Sequence, residues 1–182
     1  MSQPSNNPVV QHLQLLLGAY GFNFYSDVNK ARADDLLVRQ SASGHLTAAN
    51  AVLTRLEADY RRHFVPPSTR EQPYPPAEVM QAIREIGDLK VRIGDLDARL
   101  RGGSAPTQDK IWWRVRDELT TLEALLGYDR LIIEDAEHVQ AAASALTATA
   151  WNTGGEARQS LDQPLAAVES TLQQRGALLQ VG

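Results

Sequence analysis

Apolar side chains recur every third or fourth residue along a segment in the middle of the chain. They are Val79, Ala82, Ile86, Leu89, Ile93, Leu96 and Leu100. These residues fill every a and d position of three consecutive heptads, the pattern of a helix that packs one face along another helix. Gly102 and Gly103 end the pattern. Because such a helix needs other helices to cover its apolar face, the sequence predicts an all-α fold.

The same spacing recurs on both sides of this segment. Before it, helices are predicted over 9–20, 26–42 and 46–64, and Gly44 is predicted to end the second of them. After it, helices are predicted over 112–126, ended by Gly127, and over 132–150. A last helix is predicted with Pro164 in its first turn. Alanine and leucine, the strongest helix formers, are the commonest residues, and no strand pattern is present. We therefore predict a helical bundle of about six to seven helices, with antiparallel neighbours, heptad-like seams and no sheet.

Proline marks the one strong boundary. Residues 65–76 hold five of the nine prolines and are predicted to be a Pro-rich linker, because proline in the interior of a helix lacks the amide proton and clashes with the preceding turn. Residues 1–8 are predicted to be a disordered tail, 9–64 an N-terminal helical segment and 77–182 a C-terminal helical bundle. One continuous domain stays an alternative. Pro73 to Pro76 fits the Pro-x-x-Pro ligand pattern, but this pattern is frequent by chance, so we interpret the segment as a spacer.

Composition limits the classes of function. The 182 residues include no cysteine, which excludes disulfides, thiolate zinc sites and a cysteine nucleophile. With 18 basic against 22 acidic side chains and a net charge of −4, the chain lacks the basic excess of nucleic-acid-binding proteins. The first apolar stretch, 9–20, has no basic residue before it and is too short to span a membrane. We expect a cytoplasmic protein that binds neither nucleic acid nor membrane.

Histidines and carboxylates are the remaining candidate metal ligands. Asp59 and His63 are spaced i, i+4, and Asp135 and His138 belong to an Asp-Ala-Glu-His sequence. A dinuclear site in a helical bundle needs a second Glu-x-x-His, which is absent. We expect His138 on the outer side of its helix and His63 at the edge of the core beside Phe64. These four residues are therefore weak candidates, and we predict no metal and no cofactor.

No catalytic constellation is present. The sequence contains no Gly-x-Ser-x-Gly elbow, no phosphate-binding loop and no dinucleotide-binding glycine motif. Gly-Gly pairs follow predicted helices and are interpreted as helix stops. We predict no catalytic residues, and we expect a binding protein rather than an enzyme.

Aromatic residues are the candidates for a partner surface. Tyr20, Phe22, Phe24 and Tyr25 lie within six residues of each other, and Trp113 is predicted to point away from the seam position of Trp112. They either cap the core or form an interface, where aromatic residues often dominate the binding energy.

Two hypotheses about function follow. The favoured one is a soluble helical-bundle protein that acts through protein contact, as a scaffold, adaptor or accessory subunit. A homodimer is expected because a second copy could cover the long seams. The alternative is a metal- or small-molecule-binding bundle with enzymatic activity. It requires several of Glu57, Asp59, His63, Glu134, Asp135 and His138 to converge between helices.

Overall fold

The computed structural model describes residues 28–102 and 119–180, with side chains over 37–102 and 127–178. Four long helices dominate it, and they are α1 (Val28–Phe64), α2 (Ala77–Gly102), α3 (Leu119–Ser144) and α6 (Asp162–Gln180). Two short helices, α4 (Ala148–Thr153) and α5 (Glu156–Gln159), connect α3 to α6. Every regular element in these two ranges is helical, so the all-α prediction is confirmed.

One hydrophobic core joins residues from both sides of the proline-rich segment. It consists of Val38, Ala42, Leu46, Ala49, Leu53, Leu56 and Tyr60 of α1; Ala82, Ile83, Ile86, Ile93, Leu96 and Leu100 of α2; Ile132, Ile133, Ala136, Val139 and Ala143 of α3; Trp151 of α4; and Leu161, Leu165 and Val168. Most heptad positions of α2 lie in this core, while Val79 and Leu89 are partly buried against it. The periodicity therefore located the buried face of α2.

Helices α1 and α2 pack side by side in opposite directions. Arg101 near the end of α2 donates a hydrogen bond to Ser43 in the first half of α1, with Nε and Oγ 2.9 Å apart. Lys90, in the middle of α2, donates to the carboxylate of Glu57 near the end of α1 at 3.0 Å. Later residues of α2 therefore contact earlier residues of α1, so the two helices are antiparallel.

Helices α1 and α3 run in the same direction, which differs from the antiparallel arrangement predicted for neighbours. His45 of α1 contacts Gln140 of α3 at 2.6 Å, and Tyr60, further along α1, contacts Asn152 of α4, further along the chain. This pair makes the most extensive helix contact among the described residues. The sequence pattern specified which faces are apolar, but it contained no information about which faces pair.

Helix α6 returns along α3 in the opposite direction. Thr171 donates to Asp135 at 2.7 Å, and Arg175, one turn later on α6, donates to Asp129 at 2.6 Å. Helices α2 and α6 also meet through ion pairs, Arg99 with Glu169 and Arg92 with Asp162. The four long helices therefore form a bundle in which α1 and α3 are in the middle, and α2 and α6 flank them.

Two glycines that we predicted to stop helices lie inside helices. Gly44 lies within α1 and Gly127 within α3, so each of these helices replaces two predicted ones. A glycine inside a helix costs about 1 kcal/mol relative to alanine. Burial of the flanking residues Ala42 and Leu46 offsets that cost in α1.

The glycines of α2 also lack close neighbours. A Cβ built at Gly87 or Gly94 would have no atom within 4 Å outside the helix backbone. These two positions are tolerated glycines rather than points where another helix crosses closely.

The proline-rich segment turns the chain from α1 into α2. Thr69 N–H donates to the carbonyl oxygen of Gln72 at 3.1 Å, which closes a turn, and Tyr74 beyond it is 81% exposed. The carbonyl oxygen of Pro76 accepts from Met80 N–H at 3.2 Å, so Pro76 is the N-cap residue directly before α2. The second proline of the Pro-x-x-Pro pattern is thus part of a helix start.

The helix predicted over 132–150 is interrupted in the structure, where α3 ends and the short helix α4 begins. Helix α3 ends at Ser144. Thr147 is the N-cap of α4, and its side-chain hydroxyl accepts a hydrogen bond from the backbone N–H of Ala150. Pro164 lies in the first turn of α6, and this part of the prediction is confirmed. Over 28–102 and 119–180, no helix is long and apolar enough to cross a lipid bilayer.

Candidate functional site

An open cleft of about 460 Å³ lies between α2 and the short helices α4 and α5. It is lined by Glu85, Asp88, Leu89 and Arg92 of α2 and by Trp151, Gly155, Arg158 and Gln159. Clefts that bind ligands commonly have volumes of about 300–1,000 Å³ and combine apolar surface with a few polar groups. This cleft has both properties and is the candidate site.

The floor of the cleft is apolar and fixed in position. Trp151 is 1% exposed, and its indole N–H donates to the backbone carbonyl of Ala82 on α2 at 3.1 Å. Leu89, which is partly buried, lies on the α2 side. This hydrogen bond joins α4 directly to α2 and orients the indole in the floor of the cleft.

Arg158 forms one wall by binding two elements at once. Its Nη1 lies 2.8 Å from the carboxylate of Glu85, and its Nε donates to the carbonyl oxygen of Trp151 at 3.1 Å. The guanidinium carbon is 5.9 Å from the centre of the Trp151 ring. Arg158 therefore ties α5 to both α4 and α2, and its charge is neutralised by Glu85.

Two glycines make this arrangement possible. Gly154 and Gly155 have φ angles of +75° and +62°, in the region that side chains disfavour. They turn the chain sharply between α4 and α5. This turn brings Arg158 back over the ring of Trp151.

The other wall carries the charged side chains of Asp88 and Arg92, which do not pair with each other. Arg92 pairs with Asp162 at 3.5 Å, and both side chains are substantially exposed. Asp88 is exposed and, within the described side chains, forms no hydrogen bond or ion pair. An aspartate four residues before an arginine on a helix could pair with it, but Arg92 contacts Asp162 instead.

Tyr60 of α1 contacts α4, the helix that carries Trp151. Its hydroxyl donates to Asn152 of α4 at 2.9 Å. Burial raises the pKa of Tyr60 above its ordinary value, an effect that the nearby positive charge of Arg158 opposes and the negative charge of Glu85 reinforces. The phenol is therefore neutral at physiological pH and acts as a hydrogen-bond donor that positions α4.

The lining side chains are two carboxylates, two guanidinium groups, one amide, one leucine and one indole, and Gly155 contributes only backbone. What the cleft offers is an apolar floor, charges of both signs and one carboxylate without a partner.

The metal candidates on α1 are placed apart from this cleft. His63 is exposed, and its Nδ1 contacts the carbonyl oxygen of Asp59 at 2.7 Å, while the carboxylate of Asp59 pairs with Arg62. The expectation that His63 lies at the core edge is wrong, because Tyr60 and Phe64, with ring centres 4.8 Å apart, close this end of the core instead.

The candidates on α3 are likewise separate from one another. His138 is exposed, as predicted, whereas Asp135 accepts a hydrogen bond from Thr171 and Glu134 pairs with Arg130. No three His, Asp or Glu side chains in the described part of the chain cluster closely enough to hold a metal ion. The convergence on which the metal hypothesis depended is therefore not seen among these residues.

The candidate partner residues Tyr20, Phe22, Phe24, Tyr25 and Trp113 lie outside the described residues. The sequence pattern does not predict the cleft, because the Gly154-Gly155 pair after the alanine-rich helix is interpreted as a helix stop. A second signal was also present, since Glu85, Asp88 and Arg92 share one side of the α2 helix.

Comparison with known proteins adds no assignment. No family model, curated protein or solved structure matches this chain. The function is therefore argued from the geometry of the cleft.

Proposed function

We propose that this protein is a binding protein, a scaffold or adaptor that takes a segment of a partner protein into the cleft between α2 and α4–α5. The observation that carries the proposal is the combination of a fixed apolar floor, Trp151 and Leu89, with an open rim of charged side chains. Protein interfaces commonly have an apolar centre surrounded by polar residues, and the partly buried Leu89 is the apolar side chain that a partner can reach here, since Trp151 is 1% exposed and already packed in the core.

The surface beside the cleft supports a macromolecular partner. Val91 lies between Asp88 and Arg92 in sequence and is 63% exposed. Residues three apart on a helix are neighbours on its surface, so Val91 extends the rim next to Asp88. A partner segment that enters the cleft would bury part of this valine as well.

A different protein is favoured over a second copy as the partner. The homodimer was expected because long apolar seams need covering, but the seam residues Leu53, Ile86 and Ile132 are no more than 1% exposed within one chain. The seams are thus filled by the chain's own helices over the described ranges. Uncovered apolar seams, the reason for expecting a homodimer, are therefore not seen over these ranges.

Site-specific crosslinking in the native cell tests the proposal. Gln159 is exposed on the rim and is replaced by a photoreactive phenylalanine, while exposed Ala141 of α3 receives the same residue as the control. We expect a crosslinked partner protein from position 159 and none from 141. Equal crosslinking from both positions, or none from 159, would contradict the proposal.

A small-molecule ligand is the second candidate, because the volume of about 460 Å³ also suits one. Native mass spectrometry of the purified protein tests it. A bound small molecule that is lost in the Arg92→Glu variant would favour this function over protein binding.

A further inference from the structure

We infer that the group bound in the cleft is a basic side chain of the partner, a lysine or an arginine, whose charged end is held by Asp88 and whose aliphatic part lies against Leu89. This inference rests on the proposed function and specifies the chemistry of its partner.

The first argument is the balance of charge around the cleft. Arg158 and Glu85 neutralise each other at 2.8 Å. Arg92 is directed toward Asp162. Asp88 is the lining carboxylate left without an opposite charge among the described side chains. A cation is therefore the group that this cleft lacks.

The second argument is that the cleft would repel an acidic ligand. An acidic group entering the cleft would approach the carboxylates of Glu85, Asp88 and Asp162. The carboxylates of Glu85 and Asp162 are offset by the arginines that they contact, Arg158 and Arg92, so the charge left to act on a ligand is that of Asp88. A basic group instead meets the unpaired carboxylate first, and complementary charge governs which partners approach.

The third argument is the apolar surface beside Asp88. Leu89 follows it directly and lines the same cleft. Lysine and arginine bury their methylene groups along apolar surface while their charged ends stay near water. The exposed Asp88 and the partly buried Leu89 supply these two environments side by side.

Titration with short peptides tests the inference. The probes are the capped tripeptides acetyl-Leu-Arg-Leu-amide, its lysine version and its glutamate version. They are added to the isotope-labelled protein while the NMR signals of the Gly155 backbone amide and the Gln159 side-chain amide are followed. Asp88→Asn is the test variant, and Asp95→Asn, an exposed aspartate of α2 outside the cleft lining, is the matched control.

We expect both basic peptides to shift the two signals, with binding weakened by added salt. Affinity should fall about tenfold in Asp88→Asn, as loss of a charge-assisted hydrogen bond predicts, and stay unchanged in Asp95→Asn. The inference is overturned if the basic peptides do not bind, if the glutamate peptide binds equally well, or if Asp88→Asn behaves like the unmodified protein.

This result is separable from that of the crosslinking experiment. A crosslinked partner combined with no binding of basic peptides would overturn the inferred chemistry and leave the protein-binding function standing. Binding of basic peptides without a crosslinked partner would support the chemistry and overturn the protein-binding function.

Discussion

The indole N–H of Trp151 donates to the backbone carbonyl of Ala82 across the interior, with the two atoms 3.1 Å apart. Ala82 lies on α2, so this hydrogen bond joins elements that are 69 residues apart in the chain. Both residues are almost completely buried, and water therefore cannot replace the donor.

Replacing Trp151 with phenylalanine should therefore lower stability. The variant loses the donor to Ala82 and leaves space in the core, and we expect the free energy of unfolding to fall by about 1–3 kcal/mol. Urea unfolding measures this loss. Tyr74→Phe is the control, because Tyr74 is exposed and should behave like the unmodified protein. Equal stability of Trp151→Phe and Tyr74→Phe would show that the hydrogen bond contributes nothing.

Two ion pairs should differ strongly in their effect. Asp129 is 1% exposed and pairs with Arg175 at 2.6 Å, whereas Asp59 and Arg62 pair on the surface. Asp129→Ala removes the carboxylate from this largely buried pair and should cost about 3–5 kcal/mol. Asp59→Ala should cost about 1 kcal/mol or less. Thermal unfolding of the two variants compares them, and similar melting temperatures would refute the distinction.

Two glycine substitutions should have opposite signs. Gly44 lies in the middle of α1 with open space around it, so Gly44→Ala should stabilise the protein by about 0.5–1 kcal/mol. Gly154 has φ +75° and ψ −147°, a conformation restricted to glycine, so Gly154→Ala should cost about 1–3 kcal/mol. Chemical denaturation of both variants gives the signs, and stabilisation by Gly154→Ala would contradict the backbone argument.

Stability should also decrease in acid partly through Glu57. Hydrogen bonds from Arg61 and Lys90 lower the pKa of Glu57 below its ordinary value of 4.5. Because the folded-state pKa is below that of the unfolded chain, the stabilisation is present above about pH 4.5 and is lost as the pH falls through the folded-state pKa.

Glu57→Gln should remove this part of the pH dependence. We expect the free energy of unfolding of the variant to change less between neutral pH and about pH 3 than that of the unmodified protein. Glu71→Gln, at an exposed position in the proline-rich segment, is the control and should keep the full dependence. An unchanged slope in Glu57→Gln would rule out this role.

Much of the core could be predicted from the sequence because helical periodicity is local. Positions such as Ile86, Ile93 and Leu96 are buried because three- and four-residue spacing places them on one face, whichever helix covers it. Whether Gly44 ends a helix is not a local property. It depends on how much its neighbours bury against α3 and α2, and the sequence pattern did not specify that packing.

The cleft could not be predicted for the same reason. Its wall depends on the pairing of Arg158 with Glu85, which are 73 residues apart, and on a turn whose direction follows from two positive φ angles. Each residue taken alone fits a solvated helix surface. Their proximity comes from the parallel packing of α1 and α3 and from the break between α3 and α4, neither of which a heptad pattern encodes.

The contact between α1 and α3 has a consequence for synthesis on the ribosome. His45 and Gln140 meet although 95 residues separate them, so α1 leaves the exit tunnel long before α3 has been translated. Until then, part of its apolar stripe has no cover and is open to chaperones or to aggregation. Expression of this protein should therefore depend on how fast translation proceeds between α2 and α3.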